Sequence, residues 1–166
     1  EQRLLSTDYN VSHDARVELG CLPAEDKKPY VAFIAAALKN EATRDIAVSA
    51  IDGLEAQSIQ VIPALLQVAD KTANASFTLK TIVWTLPQTR EILIDLYRKS
   101  SPSEKKRFLP VLLEAGIINP SMSQDVIAIL RKDKFNRDAI MALGKIGAEA
   151  KNAVPYLMEI YSLKKD

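Results

Sequence analysis

Chemistry needs side chains that titrate, ligate or attack, and this sequence is sparing with them. His13 is the only histidine and Cys21 the only cysteine. A single imidazole excludes a multi-histidine metal site, and a single thiol excludes an internal disulfide. Cys21 reads as a small core hydrophobe, with a reactive thiol as the sharper alternative. His13 and Asp14 read as a solvated pair near the start of the fold. No Gly-rich phosphate loop and no Gly-x-Ser-x-Gly elbow is present. The carboxylates are scattered: Asp45, Asp52, Asp125 and Asp138 read as helix-start or surface charges favoured by the helix dipole. No catalytic, cofactor-binding or metal-ligating residue is therefore expected, and no cofactor.

The cations cluster without dominating. Lys27-Lys28, Lys105-Lys106-Arg107, Arg131-Lys132-Asp133-Lys134 and Lys164-Lys165 recur near helix ends. They read as solvated ends and turns, two of them complementing helix C-termini; the sharper reading is a ridge for an acidic partner or RNA. The formal net charge is only +1, which argues against a protein that grips nucleic acid chiefly through phosphates.

The elements that would position these groups are set by apolar spacing. The chain has 166 residues, 48% of them hydrophobic, enough for a sizeable buried core. No apolar run is long enough to span a bilayer and no signal peptide is recognisable. The chain starts at Glu1 rather than Met, so the expectation is a soluble domain excised from a longer protein, or a mature product after signal cleavage. Its compartment is open, cytoplasmic or exported.

An amphipathic stripe at i, i+3, i+4, i+7 appears at Ala47, Ala50, Ile51, Leu54, and again at Leu79, Ile82, Val83, Leu86. It recurs at Phe108, Val111, Leu112, Ala115 and at Ala139, Ala142, Leu143, Ile146. A first copy, Ala15, Leu19, Leu22, is imperfect because Glu18 holds its second position. The stripes begin at residues 15, 47, 79, 108 and 139, so successive steps are 32, 32, 29 and 31. Between them lie further helical segments at roughly 26–39, 57–71, 88–99, 121–133 and 149–164. Sustained alternation is absent, so strands are not expected. The chain reads as ten helices in five helix–turn–helix units, roughly 11–40, 41–72, 75–99, 102–133 and 136–164, after an extension or cap at 1–10.

The punctuation agrees. Ser101-Pro102-Ser-Glu104 reads as a capping box with Pro at the first helical position, and Ser121-Met-Ser-Gln124 as a second box. Gly116 and Gly147 sit where a left-handed residue ends a helix. Asn40, Asn74 and Asn136 precede helices as caps or turns. Leu109-Pro110-Val-Leu-Leu113 looks like a second helix of a pair, yet the alternation of elements makes it a first one.

The segment Ala47-Val-Ser-Ala-Ile51-Asp-Gly-Leu54 is similar to Ala139-Ile-Met-Ala-Leu143-Gly-Lys-Ile146. Each leads to a proline motif, Ile62-Pro63-Ala-Leu-Leu66 and Val154-Pro155-Tyr-Leu-Met158; Leu19 to Tyr30 is a third, shortened copy. The pattern Ala-x-x-Ala-Leu-Gly-x-Ile-Gly followed by Ala-Val-Pro-x-Leu, nearly complete at 139–157, resembles HEAT repeats, in particular the shorter variety named after phycobilisome bilin lyases. The longer HEAT and armadillo period of about 40–47 residues does not fit. The resemblance implies a single HEAT-like domain at 11–166, an all-α, right-handed α-solenoid of about five antiparallel helix pairs. It implies little about chemistry, since function on such folds is grafted onto surfaces.

In HEAT-like stacks the second helices line a concave face. Their expected core stripes here are Ile59, Ile62, Leu66; Ile92, Leu93, Leu96; Val126, Ile127, Leu130; and Val154, Leu157, Met158, Tyr161. Gln60, Gln67, Asp95, Arg98, Arg131, Tyr156 and Glu159 fall outside them and would form a mixed polar surface. Trp84, the only tryptophan, lies outside its own stripe and is either a filler between units or an exposed aromatic anchor. The expected function is a non-catalytic protein- or peptide-binding scaffold, with an unidentified protein or peptide as partner and nucleic acid disfavoured. The alternative is an enzyme or nucleic-acid module on this architecture, bilin-lyase-like or DNA-glycosylase-like. The last helix, ending Tyr161-Ser-Leu-Lys-Lys-Asp, reads as polar enough to stop.

Overall fold

The computed structural model describes residues 1–72 and 74–163, so the Lys164-Lys165 pair and the final residue of the expected 149–164 helix lie outside the described residues. Every regular element among the described residues is helical. After a 3-10 turn at Gln2–Leu5 come α1 (Tyr9–Cys21), α2 (Lys28–Lys39), α3 (Arg44–Ala50), α4 (Ile62–Gln67), α5 (Ala75–Thr85), α6 (Thr89–Lys99), α7 (Pro102–Glu114), α8 (Ser123–Lys132), α9 (Arg137–Ile146) and α10 (Val154–Leu163). Eight of these have ten residues or more; α3 and α4 are short. The chain divides into two compact units, Glu1–Leu93 and Ile94–Asp166.

In the first unit, α2 packs on α3 and α1 packs on the 3-10 run Ile51–Val61 that follows α3. The stripe residues Ala47, Ala50, Ile51 and Leu54 are wholly buried, with Ala15, Leu19, Leu79 and Ile82; Val83 and Leu86 are half-buried. Leu4 of the N-terminal turn is buried, and Arg3 forms an ion pair with Glu18 at 2.9 Å. The close approach of α1 to the 3-10 run rests on Gly53, where a Cβ would lie 3.0 Å from the Arg16 carbonyl oxygen and 3.1 Å from Leu19 Cδ2.

The stripe at 47–54 and the expected segment 57–71 are both helical but only partly α-helical: α3 continues in 3-10 turns to a kink at Glu55, and further 3-10 turns lead into α4 and a last 3-10 turn at Ala69–Lys71. Glu55 breaks the helix, with φ 48° and ψ −122°. The residue that follows the similar segment 139–146, Gly147, has φ 67° and ψ −134°. Both lead through 3-10 turns, Ile51–Val61 and Gly147–Ala153, into helices whose second residue is proline, Pro63 and Pro155. The two sequence-similar segments thus fold alike, with a glutamate holding the backbone that a glycine adopts without steric penalty.

In the second unit, α7 packs on α8, and α8 on α9. Phe108, Val111, Leu112 and Ala115 are buried, as are Val126, Ile127, Leu130, Ala139, Ala142, Leu143 and Ile146. Pro110 lies within α7. The Ser101 box is formed: Ser101 Oγ accepts from the Glu104 amide at 3.3 Å and Glu104 Oε2 accepts from the Ser101 amide at 2.9 Å. Asn136 caps α9 through the Ala139 amide at 3.0 Å, and Gly116 and Gly147 have positive φ.

Several local expectations are corrected. Ser121 does not open a capping box: Pro120 starts a 3-10 turn, Asn119 Oδ1 accepts from the Ser121 amide at 3.0 Å, and α8 begins at Ser123 without a side-chain cap. The inward face of α6 is rotated to Leu93, Ile94 and Tyr97, leaving Ile92 and Leu96 half-buried, because the Tyr97 hydroxyl reaches inward to donate to Asp125 Oδ2 at 2.7 Å. On α10 only Ile160 is buried; Val154, Met158 and Tyr161, read as core, are exposed, and the Lys-Lys-Asp end of the expected polar terminus lies outside the described residues. Cys21 is exposed at the end of α1, not in the core. Lys27, read as a solvated end, is buried.

Candidate binding surface

α5 has one face in the core and one in water. Ala75, Thr78, Leu79 and Ile82, at i, i+3, i+4 and i+7, are buried. On the other side Phe77 is 68% exposed and Trp84 86% exposed. Phe77, Thr81, Trp84 and Thr85 share a face by helical spacing. Trp84 is thus no filler: a large aromatic ring stands in solvent on a helix anchored by its opposite side.

α5 and the 3-10 run after α3 border an open cleft of about 530 Å³ lined by Ile51, Asp52, Glu55, Ala56, Ser58, Thr81, Ile82, Thr85 and Leu86, with neither Phe77 nor Trp84 in its wall. This size lies within the range of ligand pockets, about 300–1,000 Å³. Four of the nine lining residues are aliphatic, and the polar groups are two carboxylates and three hydroxyls. Glu55 is held from behind: the Lys27 ammonium, buried between chain segments, donates to Glu55 Oε2 at 2.6 Å and to the Gly20 carbonyl at 3.0 Å. Asp52 has no hydrogen bond or ion pair among the described residues. Asp52 is an exposed residue; partial desolvation of its carboxyl raises it above the ordinary value, with the Arg16 charge pulling the other way. Removing a carboxylate from water without pairing it favours the protonated form.

The other expected site residues are placed as follows. Gln60 is exposed and hydrogen-bonded to Gln57; Gln67 is exposed on α4. In the second unit Asp95 is paired along α6 with Lys99 at 2.7 Å, and Arg98 donates to Asn119 Oδ1 at 3.2 Å. Arg131, Tyr156 and Glu159 do come together. The Arg131 guanidinium lies 5.0 Å from the Tyr156 ring centroid and donates to its hydroxyl at 3.0 and 2.6 Å. Lys134 pairs with Glu159 at 2.6 Å. These contacts tie α8 to α10 around a cleft of about 160 Å³.

The α5 face carries the most exposed large apolar side chain among the described residues, Trp84, on a helix that also borders the cleft. Of its members the sequence pointed to Trp84. Asp52 and Glu55 were missed as site residues, because their approach to α5 depends on a tertiary contact. Glu55 had one signal, a glutamate where the similar segment has Gly147. Among the described residues no group of three or more His, Cys, Asp or Glu side chains is placed to hold a metal ion, and no helix is long and apolar enough to cross a membrane. No family model, curated protein or solved structure matches the chain.

Proposed function

We propose that this chain is a non-catalytic scaffold that binds another protein or a peptide, and that its helix pairs stack as a right-handed HEAT-like solenoid. The observation that carries the binding reading is Trp84, a tryptophan 86% exposed on a helix fixed by its buried side. Exposed aromatics are among the groups that dominate protein interfaces, since they bury a large apolar area with little entropy to lose. The stacking is supported by the shared backbone at Glu55 and Gly147, by the following prolines, and by the small buried residues Ala47, Ala50, Ala139 and Ala142. One helix pair cannot bury its apolar face alone, and neighbours of like shape complete it. A nucleic-acid role is disfavoured by the carboxylates in the cleft, which repel phosphate.

Affinity capture with the chain tests this reading. The wild type retains a protein partner; Trp84→Ala loses it, and Tyr156→Ala, which alters a surface already paired with itself, keeps it. Retention of every partner by Trp84→Ala would sink the proposed surface.

A further inference from the structure

The two sequence-similar segments are packed alike on one side and differently on the other. In the first unit α2 packs on α3 and α4, and in the second α8 packs on α9 and α10. Pro63 and Pro155 hold equivalent places, so Ile62, Leu66 and Ala69 correspond to Val154, Met158 and Tyr161. Val68 and its counterpart Ile160 are both buried. In the first unit α5 lies against α4 and the 3-10 run before it, and Ile62, Leu66 and Ala69 are buried. In the second unit Val154, Met158 and Tyr161 are 53%, 63% and 60% exposed. They fall at i, i+4 and i+7, on one face of α10. A charge changes sign as well. Thr72, which leads into α5, donates to Asp45 Oδ1 at 2.6 Å. The position equivalent to Asp45 is Arg137, exposed at the start of α9.

We infer that the open face of α10 docks an amphipathic helix of a partner protein, laid against it as α5 is laid against α4. The docked helix carries small and aliphatic residues at the spacing of Ala75, Leu79 and Ile82, and an acidic residue at its N-terminal end opposite Arg137. This is a second surface, independent of the Trp84 face. The chain itself supplies the precedent: the same motif, in the first unit, is covered by a helix of that pattern. Covering the three side chains removes apolar area from water, and anchors at i, i+4 and i+7 are how a helix is read by an apolar surface. An acid in the first turn also complements the helix dipole. A second copy of this chain fits less well. In a two-fold pair the same face supplies the occupant, and that face brings an arginine where an acid is needed.

Selection from a phage-displayed library of small helical scaffolds, randomised on one helix face, tests the inference. The target is the full chain and the counter-target its Met158→Glu variant. Met158 is exposed, so the variant should keep its helical content by circular dichroism. The expected binders converge on small and aliphatic residues at i, i+4 and i+7 with an acid in the first turn. Their affinity falls about tenfold or more with Val154→Glu or Arg137→Glu and is unchanged by Trp84→Ala. The inference is overturned if no binder depends on Met158, or if the binders lack that pattern or tolerate Arg137→Glu. It is also overturned if sedimentation shows the wild-type chain self-associating and Met158→Glu dispersing it, since the occupant is then a second copy. Each of these failures leaves the Trp84 reading standing, because that reading is tested by Trp84→Ala.

Discussion

The buried ammonium of Lys27 is held 2.6 Å from Glu55, the single non-glycine residue with positive φ among those described. The pair is lopsided: the Lys27 side chain is 2% exposed and that of Glu55 66%. Two effects oppose each other at Glu55. Its backbone is in a region that costs a non-glycine residue about 1–3 kcal/mol, while removing the partner of a buried charge costs about 3–5 kcal/mol. The second is larger even after allowance for the exposure of Glu55, so Glu55→Gly should destabilise the chain by about 1–2 kcal/mol despite relieving the strain. The double variant Lys27→Met, Glu55→Gly should recover wild-type stability or exceed it. Urea unfolding of the two variants decides; a Glu55→Gly chain more stable than wild type would show that strain outweighs the ion pair.

Asp52 gives a pH dependence of defined sign. Its folded carboxyl binds a proton more tightly than the ordinary value of 3.8, chiefly through partial desolvation, with Arg16 opposing. Its contribution to stability is thus fully present below 3.8 and is lost as pH rises through the raised folded value. Asp52→Asn should therefore melt at a higher temperature than wild type at pH 7, with the gap closing below about pH 4. A gap independent of pH, or a more stable wild type at neutrality, contradicts the reading of this site.

Tyr97 is buried and donates to Asp125 at 2.7 Å. Burial first, and then the Asp125 hydrogen bond and charge, raise its phenol well above the usual tyrosine range of about 10. Stability from Tyr97 is present below the unfolded value and lost as the solution becomes strongly alkaline. Spectrophotometric titration should find one of the five tyrosines ionising only on unfolding, and Tyr97→Phe should abolish that step. The same variant should cost about 1–3 kcal/mol near neutral pH, since Asp125 loses a donor.

Gly53→Ala should destabilise by about 1–3 kcal/mol, because the new methyl meets backbone at the Arg16 carbonyl and the 3-10 run must move off α1. Gly144→Ala is the control: nothing lies within 4 Å of its Cβ position. Equal effects of the two substitutions, measured by thermal unfolding, would refute the close contact.

What the sequence made legible was the buried side of each helix. Ala47, Ile51, Leu112, Ala139 and Leu143 follow the 3.6-residue period because the core enforces it. A stripe shows which residues share a face, not whether anything covers it. Val154, Met158 and Tyr161 therefore read as core and are exposed. Lys27 misled in the opposite way: a lysine beside a second lysine looks solvated until the chain brings Glu55 and the Gly20 carbonyl to it. The cleft was illegible for the same reason, as Asp52 and Thr81 meet only in the folded chain.

Because the chain has one tryptophan, its intrinsic fluorescence reports on Trp84 alone. In the free protein, emission should resemble that of indole in water and be readily quenched by iodide, as befits a ring 86% exposed. Adding a partner retained by affinity capture should shift the emission to the blue and protect it from iodide, with the same midpoint as binding. A captured partner that binds to saturation and leaves both the spectrum and the quenching unchanged would contradict the account, since the partner would then sit elsewhere on the protein.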